Sequence, residues 1–146
     1  MKVKCAIVTD LDVRPDTENK AQKESEKKEA IEHNLGMPLP TNVGLYLAKE
    51  WTLEWCLFKS PILSDLFKDT VAEVHSRTEE FKKDTVTNQY SDSFETKLKE
   101  KLVDRSLEKT DIALVLSEKI KTNELDFAQL DEYIKYLLDA IRFVVL

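Results

Sequence analysis

The chain has 146 residues, 42% of them apolar and 34% charged, with a formal net charge of −6. That length suits one domain with a modest core. The charge excludes an autonomous binder of nucleic-acid backbone, which needs net Lys and Arg against phosphate, unless a divalent metal or another domain supplies the positive charge.

Only two glycines occur. Neither a G-x-G-x-x-G nor a G-x-x-x-x-G-K-[ST] pattern is present, so this chain carries no Gly-rich phosphate cradle. Its apolar runs fall well short of ~18 residues, so no transmembrane helix is expected. The first run ends in acids, unlike a signal peptide, and the cytoplasm is the expected compartment. Cys5 and Cys56 lie in apolar stretches and read as small buried hydrophobes in a reducing compartment.

In chain order, residues 3–9 predict a short buried strand. It breaks off into "DLD", with Asp10 and Asp12 one residue apart. A buried strand so near Met1 suggests a piece of a longer chain. Residues 16–34 are dense in both charge signs and read as a solvated helix or a partly disordered loop. "NLGMPLPTN" reads as loop. Residues 43–48 predict a second buried strand, and the intervening length suits a crossover between parallel strands. In "KEWTLEWCLF", Thr52 is the expected N-cap and Glu54 falls in the first helical turn, where the dipole favours an acid. Trp51 and Trp55 read as core.

Beyond Pro61 the pattern is helical to the end. Leu63, Leu66, Phe67, Val71, Val74 and Phe81 form one stripe. Phe94, Leu98 and Leu102 form a second. Ile112, Leu116 and Ile120 form a third, and Tyr133, Leu137, Ile141 and Val145 a fourth. His33 falls in the charged stretch and His75 on a helix, too far apart to suggest paired ligands. The expected fold is α/β: a small parallel sheet with about two strands in this chain over residues 1–60, then a mainly helical half over residues 61–146. Two strands alone make no stable sheet, so further strands are expected before Met1 or on a partner chain.

In a parallel sheet, ligands bind outside the carboxyl ends of the strands. Asp10 and Asp12 follow the first strand there, and Glu54 follows the second. Three converging acids call for a cation, and hard oxygen ligands select Mg²⁺ or Mn²⁺. Such an ion could hold a phosphodiester and activate water. Positive charge on the developing oxyanion is also needed. Lys109, in "LEKTDIALVL", is the candidate, because a lysine at a helix start meets an unfavourable dipole.

"IVTDLDVRP", "EWTLEWCL", "LEKTDIALVLSEKI" and "LDEYIKYLLDAIRFVV" resemble, in this order, the C-terminal region of overcoming-lysogenisation-defect (OLD) family nucleases. These are ATP-dependent endonucleases in which an ABC-type ATPase domain precedes a TOPRIM (topoisomerase–primase) domain. The resemblance is weakest over residues 16–40 and 62–105. It implies a partial TOPRIM-like fold in which Asp10 and Asp12 bind Mg²⁺ and Glu54 is a further metal-site residue. It implies Lys109, followed by Ala113, as the catalytic lysine that stabilises the transition state. It also implies DNA as substrate through the full-length protein, ATP bound only by the ATPase domain, and oligomerisation through domains outside this chain. Asp16 is a candidate for a second metal, and Arg14 for a phosphate contact. The family's glutamate, which precedes the D-x-D, has no counterpart here.

Two rivals remain. A haloacid-dehalogenase-type phosphatase also follows an apolar strand with D-x-D, using the first Asp as nucleophile and the second as general acid. It needs a later strand ending in acids, and no such pattern follows Ala48. The other rival is a non-catalytic interaction fragment whose aspartates are ordinary turn residues.

Overall fold

The computed structural model describes residues 3–129 and 131–146. The chain is α/β, with two parallel strands and six α-helices among the described residues. It divides into two compact units. One comprises the residues up to Ile62 together with Phe127–Leu146; the other is Leu63–Asp126. The helical stretch expected over residues 61–146 is therefore shared, its last helix belonging with the strands.

In the first unit, β1 (Cys5–Thr9) and β2 (Val43–Leu47) pair in parallel, with Cys5 opposite Val43 and Thr9 opposite Leu47. The crossover carries α1 (Lys20–Leu35), which has no buried residue. Its charges of both signs suit a water-exposed helix, so the solvated-helix alternative describes this stretch, and His33 lies in its last turn. Gly36 ends it in the left-handed region (φ 69°). The N–H of Gly36 reaches the His33 carbonyl, and that of Met37 the Glu32 carbonyl, the pattern that satisfies a helix's last carbonyls.

After β2 come α2 (Leu53–Lys59) and, at the far end of the sequence, α6 (Lys135–Val145). Helix α6 packs on both strands. Phe143 meets Tyr46, with ring centroids 6.0 Å apart, and Lys4 lies 5.6 Å above the Phe143 ring. Gly44 makes room on the same face, because a Cβ there would come within 2.7 Å of the Tyr46 ring.

Three expectations are corrected in this unit. The strands are not fully buried: Cys5 and Val8 are exposed and the rest of both strands is intermediate. Among the described residues each strand pairs with one other strand, and α6 packs on both. Cys5 alternates with Lys4 and points away from α6, which makes it an exposed thiol, whereas Cys56 is buried. On α6 the buried residues are Tyr136 and Ala140, whereas Ile141 is 56% exposed and Val145 74%.

The second unit holds α3 (Ser64–Val74), a single 3-10 turn at Glu79–Phe81, α4 (Ser93–Val103) and α5 (Lys109–Thr122). Helix α3 packs on α5, and Lys119 bridges to Glu73 at 2.9 Å. Phe67, Val71, Leu98, Ile112 and Leu116 are buried, as their spacing predicts. Phe81 does not continue the α3 stripe. The helix stops at Val74, and Phe81 comes in on the 3-10 turn to meet Phe94 (centroids 4.7 Å) and His75 (5.7 Å).

His75 caps α3, and its Nε2 accepts the Glu108 N–H at 3.3 Å. Burial, followed by the neighbouring Lys101 charge, pushes its pKa below 6.5; Glu108 opposes this more weakly. As pH falls below 6.5 the unfolded chain takes up this proton first, so His75 contributes stability above 6.5 that is lost as pH falls through the folded-state value. The thermal midpoint is therefore expected to drop between pH 7 and pH 5.5, and to drop less in His75→Gln. Equal drops in the two proteins would refute this.

Candidate functional site

The site is built where the strand-exit loops of the first unit meet. β1 ends at Thr9, and Leu11 and Val13 then turn inward, 8% and 9% exposed. Asp12 between them is exposed and sits in the left-handed region with φ 59°. Its N–H donates to the Trp51 carbonyl at 2.8 Å, and Trp51 is itself left-handed at φ 46°. Two non-glycine residues held in this costly conformation, joined by one hydrogen bond, mark a loop pair that the surroundings over-determine.

Asp10 reaches further in. Its Oδ1 accepts the Leu53 N–H at 2.9 Å. Leu53 opens α2, so the carboxyl group satisfies one of the helix's exposed donors. Thr52 Oγ1 accepts the Trp55 N–H at 3.2 Å, as expected of the N-cap. Glu54 follows in the first turn, with Oε2 buried.

The base beneath is aromatic, as the sequence predicts. Trp51 and Trp55 are 4% and 1% exposed, with centroids 5.6 Å apart. Trp55 Nε1 donates to Glu50 Oε1 at 2.9 Å, and Glu50 pairs with Lys20 at 3.3 Å. The Cys56 thiol donates to the Glu50 carbonyl at 3.2 Å.

Cys56 and Tyr136 share a buried cluster with Ala48. Burial pushes both groups' pKa values up. For Tyr136 the Cys56 thiol acts next, followed by Asp10 and, more weakly, Glu54; Asp10 also raises Cys56 slightly. Thus the structure brings Asp10, Glu54 and the Tyr136 hydroxyl within electrostatic reach of one another. Sequence reasoning missed Tyr136, which sits in a stripe assigned through Tyr133 and Leu137.

Asp12 and Arg14 stand exposed beside this group, and Asp16 is also exposed. Lys109 belongs to the second unit, where it is the exposed first residue of α5. Among the described residues, no group of three His, Cys, Asp or Glu is close enough to hold a metal ion. Asp10 and Glu54 bring carboxylate oxygens, and the Tyr136 hydroxyl is buried against the Cys56 thiol. No helix of the described residues is long and apolar enough to cross a membrane. No family model, curated protein or solved structure matches this chain.

Proposed function

We propose that this chain is the second half of a TOPRIM-like domain of an OLD-family nuclease, acting in metal-dependent hydrolysis of DNA phosphodiesters. The observation that carries this reading is the Asp10–Leu53 hydrogen bond. It joins the D-x-D at the end of β1 to the T-L-E segment after β2, at the carboxyl edge of a parallel pair. That edge is where open α/β sheets bind ligands.

In this reading Asp10, Asp12 and Glu54 hold Mg²⁺ or Mn²⁺, with acids from outside this chain completing the shell. The ion would supply the charge that holds the phosphate and activates water. The Leu53 N–H fixes the direction of Asp10, and the first turn of α2 carries Glu54 where its charge is favoured. Lys109 takes the transition-state charge on the strength of the motif order alone. The acidic chain needs the cation, or a further domain such as the ABC-type ATPase, to approach DNA.

The same bond also favours a second reading, a non-catalytic fragment, because it gives Asp10 a structural task without any ion. Terbium binding separates the two. Trp51 and Trp55 flank Glu54, so Tb³⁺ at this site should luminesce on tryptophan excitation. A saturable signal displaced by Mn²⁺ or Mg²⁺ is expected. No saturable signal up to millimolar Tb³⁺ would overturn the metal reading and leave the fragment.

A further inference from the structure

Residues 104–108 join α4 to α5 in the second unit. The Ser106 N–H donates to Asp104 Oδ1 at 2.9 Å and to the Lys101 carbonyl at 3.0 Å. Glu108, with φ −75° and ψ 70°, forms an inverse γ-turn, closed by the Lys109 N–H on the Leu107 carbonyl at 2.8 Å. Helix α5 starts there without a side-chain cap. The Glu108 N–H donates across the unit to His75 Nε2, from a residue 33 positions earlier. The helix start is thus tied to an imidazole on α3 instead of to a cap of its own. That imidazole is itself well placed. The His75 N–H donates to the Val71 carbonyl at 2.8 Å, and the ring meets Phe81 edge-on.

An imidazole accepts at Nε2 only while neutral, with its proton on Nδ1. Once protonated it donates from both nitrogens, so Nε2–H would confront the Glu108 N–H. The charged groups that bear on the ring are Lys101, in the last turn of α4, and Glu108; the 3-10 turn presents Phe81. Lys101 repels an imidazolium, and the Glu108 carboxylate attracts it more weakly. We propose that His75 is a pH-operated latch on the entry to α5: neutral, it holds the turn at residues 107–109, and protonated, it releases the Glu108 N–H and loosens that turn. The latch works within the second unit and does not rest on the function proposed above, although Lys109 is carried on the turn.

The test is an NMR titration of the unmodified chain from about pH 7.5 to about pH 5. The Glu108 amide proton is expected to move upfield with the same midpoint as the His75 ring protons, while the Phe67 and Val71 amides hold their positions. Protection of the Glu108 amide against hydrogen exchange, corrected for the intrinsic effect of pH, should fall roughly fivefold, or about 1 kcal/mol, as one hydrogen bond is lost. In His75→Gln the side-chain oxygen can still accept and does not titrate, so both changes should vanish. A Glu108 amide that stays still while the ring titrates overturns the latch without recourse to any variant. The same shift in His75→Gln also overturns it, as does loss of the Phe67 and Val71 signals together with that of Glu108, which would mean unfolding of the whole unit.

Discussion

Asp131→Ala is expected to destabilise the protein by about 3 kcal/mol, measured by urea or thermal denaturation. Asp131 is 4% exposed. Its Oδ2 accepts the hydroxyl of the fully buried Ser60 and, at 3.4 Å, the Ile62 N–H; its Oδ1 accepts the Tyr133 N–H at 3.0 Å. Hydrogen bonds to a charged group contribute about 1.5–3 kcal/mol each, and donors left buried without an acceptor cost about 1–3 kcal/mol. Water can reach the partly buried N–H groups, which brings the total to the lower end of that sum. Asp131→Asn keeps an acceptor oxygen and should lose about half as much. A loss under about 1 kcal/mol for alanine would show that these contacts are replaced by solvent. The effect should be large because of where the bonds lie. They fasten the chain leaving α2 to the chain entering α6, at the two ends from which Leu63–Asp126 departs.

The second large effect separates two tasks in one side chain. Asp10→Asn retains an oxygen to accept the Leu53 N–H, so stability should change by less than about 0.5 kcal/mol. Asp10→Ala removes the acceptor and should cost about 1 kcal/mol, as lost helix caps do. If the acid also holds a cation, both substitutions should weaken Tb³⁺ binding about a hundredfold, or about 2.8 kcal/mol. Equal Tb³⁺ affinity in all three proteins would make Asp10 a cap and nothing more. A nuclease reading further expects plasmid nicking with Mn²⁺ by the full-length protein to be lost in Asp10→Asn.

Features fixed by local chemistry were legible in the sequence. Thr52 caps α2, the two tryptophans are core, and the two strands run parallel across a helical crossover. Each depends on a short stretch and a strong preference. The buried face of α6 was not legible, because apolar residues at two different spacings compete for it. Tyr133, Leu137, Ile141 and Val145 keep four-residue spacing, while Tyr136, Ala140 and Phe143 follow at four and three, an equally helical pattern, and only contact with the sheet chooses between them. The break before Phe81 was also hidden, because a seven-residue gap from Val74 preserves helical phase across a turn that is not helix.

The candidate site divides in the same way. Asp10 and Glu54 could be placed at one sheet edge from topology alone. Asp12 was expected beside them, and what the sequence did not announce is that it sits exposed on a left-handed backbone. Alternation along a strand does not extend into a loop stitched to Trp51. Tyr136 and Asp131 arrive from the far end of the sequence, and nothing near either residue announces its partner.

The return of α6 to β1 sets an order of assembly. Leu63–Asp126 closes on itself within its own span, α3 on α5, and shorter sequence separations form faster. β1 is synthesised before Leu63–Asp126, yet the helix that packs on it lies on the order of a hundred residues later. During synthesis the middle of the chain can fold while the strand pair still waits, with its apolar face uncovered. Non-local closure of this kind is slow and leaves unpaired strand edges exposed to other chains in the interval.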